Sequence, residues 1–244
     1  MNDDPRDYRE ISKMIDHALL VPTLTDAELD EGIRLAIAYD VASVCIMPYR
    51  VARCARMLAG SGVVPSTTIG FPHGVQATST KRAEAVRAIE DGCVELDMVV
   101  NLSQVLSGGW DYVADDLRAV IEPAHDAGRL VKVIFENCWL KDEHKIRLCE
   151  LCGELGADWV KTSTGFGSGG ATLDDLKLMR RYSPPEVQVK AAGGVRDYEM
   201  LLAVRRLGVS RVGSSKTAQL LDPCRERFGL PKVSLTTAAP KSDY

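Results

Sequence analysis

The sequence predicts an α/β chain closed into a single (β/α)8 TIM barrel, and three observations lead there. Apolar, β-type runs recur near residues 13–19, 41–47, 64–70, 93–100, 129–135, 158–163, 187–191 and 209–213. Helical patterns fill the intervals, so successive strands should run parallel and be joined by crossovers. The length of 244 residues matches one such barrel, and eight repeats favour closure over an open doubly wound sheet. No linker or internal repeat divides the chain, so one domain is expected over 1–244. It comprises a short N-terminal extension, a core from about 11 to 221 and a tail over about 230–244. That tail is rich in Thr, Ala, Pro and Ser and is expected to be mobile.

The elements follow in order. The start, Met1 to Asp7, is charged and lacks the apolar core of a signal peptide. The first strand carries Asp16 and His17 near its end. Thr25-Asp-Ala-Glu28 is a capping-box signature leading into Leu29, Ile33 and Ile37 on one helical face. The second strand holds Cys45 in Ser43-Val-Cys-Ile-Met-Pro48, and the third is followed by His73. Gly60, Gly92 and Gly128 stand where helices should stop. In the fourth strand, Val94-Glu-Leu-Asp-Met-Val-Val100, alternation puts Glu95 and Asp97 on one face and Leu96 and Met98 on the other. The fifth ends at Glu136. Cys149-Glu-Leu-Cys152 has CxxC spacing, but it sits in a helical pattern with Leu148, Leu151 and Leu155 and has no second ligand pair. It reads as two half-buried helix cysteines.

The sixth strand ends at Lys161. Gly165-Phe-Gly-Ser-Gly-Gly170 then matches GxGxxG between a strand and a helix. The acid that would bind a dinucleotide ribose should come near the end of the next strand, where Lys190 stands instead. The glycines therefore read as a flexible or phosphate-facing loop. Thr172-Leu-Asp-Asp175 opens a helix with Leu176 and Met179, and Asp197 caps one carrying Leu201, Val204 and Leu207.

Composition narrows the function. A net charge of −4, from 30 basic and 34 acidic residues, predicts no nucleic-acid partner and no anionic membrane surface. No apolar stretch approaches a membrane span. Seven cysteines, an odd number without a signal peptide, fit free thiols in a reducing cytoplasm.

The chemistry lies at the strand ends, which form the active face of a parallel barrel. Asp16, His17, Cys45, His73, Asp97, Glu136, Lys161 and Lys190 fall at equivalent points of successive units and should converge. Lysine is rarely buried without a partner or a task. Two lysines at matching strand ends should lower each other's pKa, and a neutral amine condenses with a carbonyl to a Schiff base. Lys161 is the nucleophile in this reading. Lys190 holds down its pKa or relays protons, or forms a structural ion pair with Asp97. Asp97 is either that partner or a general acid/base, and Asp16 has the same two readings. Cys45 is by default a buried apolar residue, with reactivity only if the lysines lower its pKa. Gly193-Gly-Val-Arg196 and Gly213-Ser-Ser215 follow the last two strands, where barrels commonly bind phosphate. A rim salt bridge is the structural reading of Arg196.

Taken together, Ile15-Asp-His-Ala-Leu-Leu20, Val44-Cys-Ile-Met-Pro48, Gly70-Phe-Pro-His-Gly74, Glu95-Leu-Asp-Met-Val-Val-Asn101, Val131-Lys-Val-Ile-Phe-Glu136, Val160-Lys-Thr-Ser-Thr-Gly-Phe-Gly167, Val189-Lys-Ala-Ala-Gly-Gly-Val-Arg196 and Val212-Gly-Ser-Ser215 resemble the ordered motifs of the deoxyribose-phosphate aldolase family. The resemblance runs from about 11 to 221. It implies a class I aldolase that reversibly cleaves 2-deoxy-D-ribose 5-phosphate to D-glyceraldehyde 3-phosphate and acetaldehyde, with no cofactor and no metal. Lys161 matches the Schiff-base lysine, and Asp97 and Lys190 match the proton-relay pair. Gly165, Gly193, Gly194, Arg196, Ser214 and Ser215 match the phosphate region. Asp16, Cys45, Thr164 and Gly213 complete the expected substrate contacts. Ala18 replaces a threonine found in many members, Met47 a polar or aromatic residue, and Phe166 a lysine directed at phosphate; Lys216 is placed to contribute there.

Three alternatives stay open at this point. One is a lysine-dependent aldolase for another phosphosugar. Another is a metal-dependent lyase using His17 and His73, although the four histidines show no tight ligand spacing. The third is a phosphosugar-binding barrel without turnover. A homo-oligomer, with a dimer as the guess, is expected. Tyr244 either reaches back over the barrel mouth or belongs to an idle tail.

Overall fold

The computed structural model describes residues 4–234. Within them the chain runs through α1 (Tyr8–Ser12), β1 (Ile15–Leu19), α2 (Asp26–Ala38), β2 (Ser43–Ile46), α3 (Val51–Leu58), β3 (Val64–Ile69), α4 (Thr78–Glu90), β4 (Glu95–Val99), α5 (Leu102–Leu106), α6 (Trp110–Asp126), β5 (Leu130–Ile134), α7 (Asp142–Glu154), β6 (Trp159–Lys161), α8 (Leu173–Tyr182), β7 (Gln188–Ala192), α9 (Tyr198–Arg206), β8 (Val209–Ser214) and α10 (Thr217–Arg227). The strands lie in sequence order, all parallel, and β8 returns to β1 through Asp16 opposite Gly213. The eight predicted runs are the eight strands.

Parity decides which side chain faces the interior. Leu96 and Met98 of β4 join the apolar layer between strands and helices. Glu95 and Asp97 point the other way and are buried, as are Lys132, Lys161 and Lys190.

The helix boundaries follow local chemistry. Thr25 and Glu28 make the capping box of α2: Thr25 N–H donates to Glu28 Oε2 at 2.7 Å, and Glu28 N–H to Thr25 Oγ1 at 3.4 Å. Thr172 and Asp197 cap α8 and α9 by accepting from Asp175 and Met200. Gly60, Gly92 and Gly128 all adopt positive φ just past helix ends. Cys149 and Cys152 are fully buried in α7, further in than the half-buried position expected.

A buried ion pair braces the outer layer. Lys81 of α4 is fully buried, donating to Asp116 of α6 at 2.5 Å and to the Val99 carbonyl at 2.9 Å. Gly70 leaves room for it, since a Cβ there would lie 2.7 Å from Lys81 Cε. Tyr244 and most of the expected mobile tail lie outside the described residues.

Candidate active site

The strand ends and the loops after β6, β7 and β8 enclose a cavity of about 420 Å³. Asp16, Cys45, Lys161, Thr164, Gly165, Lys190, Gly193, Gly194, Arg196, Gly213, Ser214 and Ser215 all line it. Of the predicted site residues only Asp97 does not. It lies directly beneath, fully buried, where its Oδ2 accepts from Lys161 Nζ at 2.7 Å and from Lys190 Nζ at 2.7 Å.

The convergence expected of the other polar strand-end residues is only partial. His17 has the parity opposite to Asp16; it is buried away from the cavity, its Nδ1 2.8 Å from Thr217 Oγ1. His73 is exposed and does not line the cavity. Glu136 turns back in a left-handed conformation, φ 57°, and accepts from the Thr164 hydroxyl and, at 3.2 Å, from its N–H. It therefore orients a cavity residue instead of facing the cavity itself. Among the described residues, no group of three or more His, Cys, Asp and Glu side chains is placed to hold a metal ion.

Beneath the cavity lies a charged layer that sequence reasoning did not anticipate. Lys132 Nζ donates to Glu95 at 2.6 Å and Asp97 at 3.0 Å, and lies 3.4 Å from Asp16. Arg211 donates to Asp16 at 2.6 Å and to both Glu95 oxygens at 2.8 and 3.0 Å. Lys190 comes within 2.5 Å of Asp16 Oδ2, although no donor meets that oxygen at a hydrogen-bonding angle. Trp159 closes the layer, with Arg211 5.1 Å and Lys132 5.7 Å from its ring centroid. A signal for these residues was present: Lys132 sits between two valines, as a strand-buried lysine would. Arg211 shares parity with Gly213, which lines the cavity.

The electrostatics separate the lysines. Burial pushes Lys161 below the ordinary lysine value, and the Lys190 charge adds to this against the pull of Asp97. Burial acts on Lys190 in the same sense, but Asp16 and Asp97 outweigh it and raise the group. The expectation that the two lysines lower each other thus holds for Lys161 and is corrected for Lys190. Lys190 holds two carboxylates and stays charged, while Lys161 holds one. Asp97 and Asp16 lie well below the carboxylate range, because the surrounding cations overcome the opposing effect of burial. For Cys45 the default reading as a buried residue holds. Burial raises its thiol, with the Asp97 charge reinforcing it, and the lysines do not reverse this.

The other half of the cavity is built from backbone. Gly194 has φ 80°, and a Cβ there would lie 2.4 Å from the Ala171 carbonyl oxygen. Ala171 N–H donates in turn to Ala192 O at 3.0 Å, so the loops after β6 and β7 pack backbone to backbone. Of the GxGxxG glycines, only Gly170 belongs to this contact: a Cβ there would lie 2.7 Å from the Gly193 carbonyl carbon. Arg196 and Lys216 stand exposed on the same wall, and among the described residues neither pairs with a carboxylate. The rim salt bridge considered for Arg196 is thus absent among those residues. Phe166 packs edge-to-face on Phe71, with ring centroids 5.3 Å apart. A buried, deprotonation-prone amine therefore faces a wall of cations and open backbone across one cavity.

The chain's likeness to known proteins agrees with this chemistry. A sequence model described as DeoC/LacD family aldolase matches residues 10–213. A deoxyribose-phosphate aldolase of Rhodopirellula baltica is 65% identical over 237 residues, covering 97% of this chain and 98% of that protein. One from Thermococcus gammatolerans is 45% identical, covering 88% and 97%. The tetrameric deoxyribose phosphate aldolase of Aeropyrum pernix superposes with a TM-score of 0.85 at 27% identity, covering 92% of this chain and 95% of that one. The match spans the barrel from before its first strand into its last, and on that ground the chain belongs to the DeoC/LacD family of aldolases.

Proposed function

We propose that the chain is a class I deoxyribose-phosphate aldolase that cleaves 2-deoxy-D-ribose 5-phosphate reversibly to D-glyceraldehyde 3-phosphate and acetaldehyde. The observation that carries this reading is Lys161: a lysine 3% exposed at a cavity wall, held by one carboxylate and pushed toward its neutral form by burial. Its Nζ adds to the C1 aldehyde of the open-chain sugar, and loss of water leaves an iminium. Removal of the C3 hydroxyl proton then breaks the C2–C3 bond. The C3 fragment departs as an aldehyde, and the bonding pair passes into an enamine instead of a free carbanion. Protonation at C2 and hydrolysis release acetaldehyde and restore the amine.

Asp97, which accepts from both lysines, and Lys190 move the protons in this scheme. Asp16 keeps Lys190 charged and close. Gly165, Gly193, Gly194, Gly213, Ser214, Ser215 and Arg196, with Lys216 beside them, bind the phosphate through backbone N–H groups and two unpaired cations. Thr164 and Cys45 bound the aldehyde end. The chain works as a homo-oligomer on small phosphosugar and aldehyde substrates.

Borohydride trapping tests the reading. Incubation with acetaldehyde or 2-deoxyribose 5-phosphate, then reduction and digestion, should place the adduct on the Lys161 peptide. Lys161→Ala should abolish both adduct and cleavage. Asp97→Asn should lower kcat by roughly 10²–10⁴-fold. No adduct on any lysine of the folded protein with either ligand would overturn the proposal.

A further inference from the structure

We propose that Arg211 and Glu95, a charge pair beneath the cavity floor, are positioning residues that make Lys161 the amine that gives up its proton. This rests on the reading of Lys161 as the nucleophile. Neither residue lines the cavity, so neither touches substrate.

Charge is unbalanced in this largely buried layer. The interior layer holds three carboxylates, Asp16 of β1 and Glu95 and Asp97 of β4. It holds four cations, Lys132, Lys161, Lys190 and Arg211. β2 adds only the Cys45 thiol, and β3 has no titratable side chain. A net charge in such a place is costly, so the layer favours the state in which one cation is neutral.

Contacts decide which one. Arg211 does not deprotonate. Lys132 faces three carboxylates and Lys190 faces two, whereas Lys161 faces Asp97 alone. Lys161 therefore yields its proton. Arg211 is the charge that makes the cations outnumber the carboxylates. Without it, three cations would meet three carboxylates and Lys161 would keep its proton. Without the Glu95 charge the excess of cations grows, and Lys161 yields more readily still. The two residues thus act on Lys161 with opposite signs, through the same layer.

The test is the pH dependence of borohydride trapping with acetaldehyde, and of kcat/KM, for the wild type and four variants. Arg211→Met should move the acidic limb to higher pH, and Glu95→Gln to lower pH. Each displacement should be roughly one pH unit, the size of one unit charge acting over roughly 10 Å at an effective dielectric near ~20. The double variant removes one charge of each sign and should return the limb close to that of the wild type. Arg211→Lys keeps the charge and should leave the limb in place. A merely structural role would lower activity without these opposed displacements, and that result would overturn the inference. So would displacement of both single variants in the same direction. If Arg211→Met does not fold, as judged by circular dichroism, the downward movement in Glu95→Gln decides alone. Absence of any adduct in the wild type would instead strike the aldolase reading, and the two failures are distinguishable.

Discussion

Lys161 and Lys190 are neighbours in register and nearly identical in burial, yet they carry opposite pKa directions. The difference is one extra carboxylate, Asp16, on Lys190. A shared residue type at a shared strand position thus divides into a weakly held and a firmly held cation. His17, one residue from Asp16, shows the opposite use of burial. With only a hydroxyl as partner, burial lowers it from 6.5 to about 4. The fold therefore favours the neutral imidazole. Its contribution to stability is fully present above pH 6.5 and is lost as the pH falls toward about 4. At ~1.4 kcal/mol per pH unit, this amounts to roughly 3 kcal/mol between those limits. His17→Gln should remove that part of the pH dependence. Urea unfolding at neutral pH and at pH near ~4 checks it; an undiminished loss of stability in the variant would reject the assignment.

At the scale of elements, two contacts carry separable consequences. Gly194 lets the loop after β7 pass against Ala171 of the loop after β6, at a positive φ that a side chain strains. Gly194→Ala should push these loops apart. We expect KM for the phosphorylated sugar to rise about tenfold or more, while turnover of an unphosphorylated aldehyde acceptor changes little. Steady-state kinetics with both substrates reads this split, and equal effects on the two would refute it. The Lys81–Asp116 pair between α4 and α6 is a different case, because it lies outside the cavity. Lys81→Met leaves Asp116 as a buried charge whose remaining partner is the Thr78 hydroxyl, and should cost about 3–5 kcal/mol of stability. Chemical denaturation measures the loss, and trapping of the folded fraction at Lys161 should persist.

At the scale of the whole molecule, the barrel keeps its charge in the middle and its hydrophobic layer outside it. The apolar cluster lies mainly between strands and helices, while the interior between β1, β4, β5, β7 and β8 is ionic. No helix among the described residues is long and apolar enough to cross a membrane. Large apolar side chains stay exposed in the connections after β2, β3 and β5, including Tyr49 at 68%, Val75 at 64% and Trp139 at 56%. We expect a homo-oligomer in solution. Multi-angle light scattering should give a multiple of the chain mass, and a single-chain mass at micromolar concentration would reject assembly.

Much of this was legible in one sequence, for local reasons. Strand positions follow from apolar runs, and helix starts from Thr25, Thr172 and Asp197, since capping acts within three residues. Lys161, Lys190 and Asp97 stand out because a charge inside an apolar run requires a partner. Parity along β4 already placed Glu95 beside Asp97. What the chain could not reveal locally was pairing across the barrel. Lys132 and Arg211 meet Asp16, Glu95 and Asp97 only after closure, from positions tens to nearly two hundred residues apart. The charge state of each lysine depends on how many carboxylates it reaches, and the packing of Gly194 on Ala171 depends on two loops meeting. The sequence by itself determined the strands, their order and, along β4, which side chains face inward, because those are matters of period and local hydrogen bonding. Only the tertiary structure decided that Lys161 is the weakly held cation and Lys190 the firmly held one, because Coulomb interactions in a closed interior are set by distance in space.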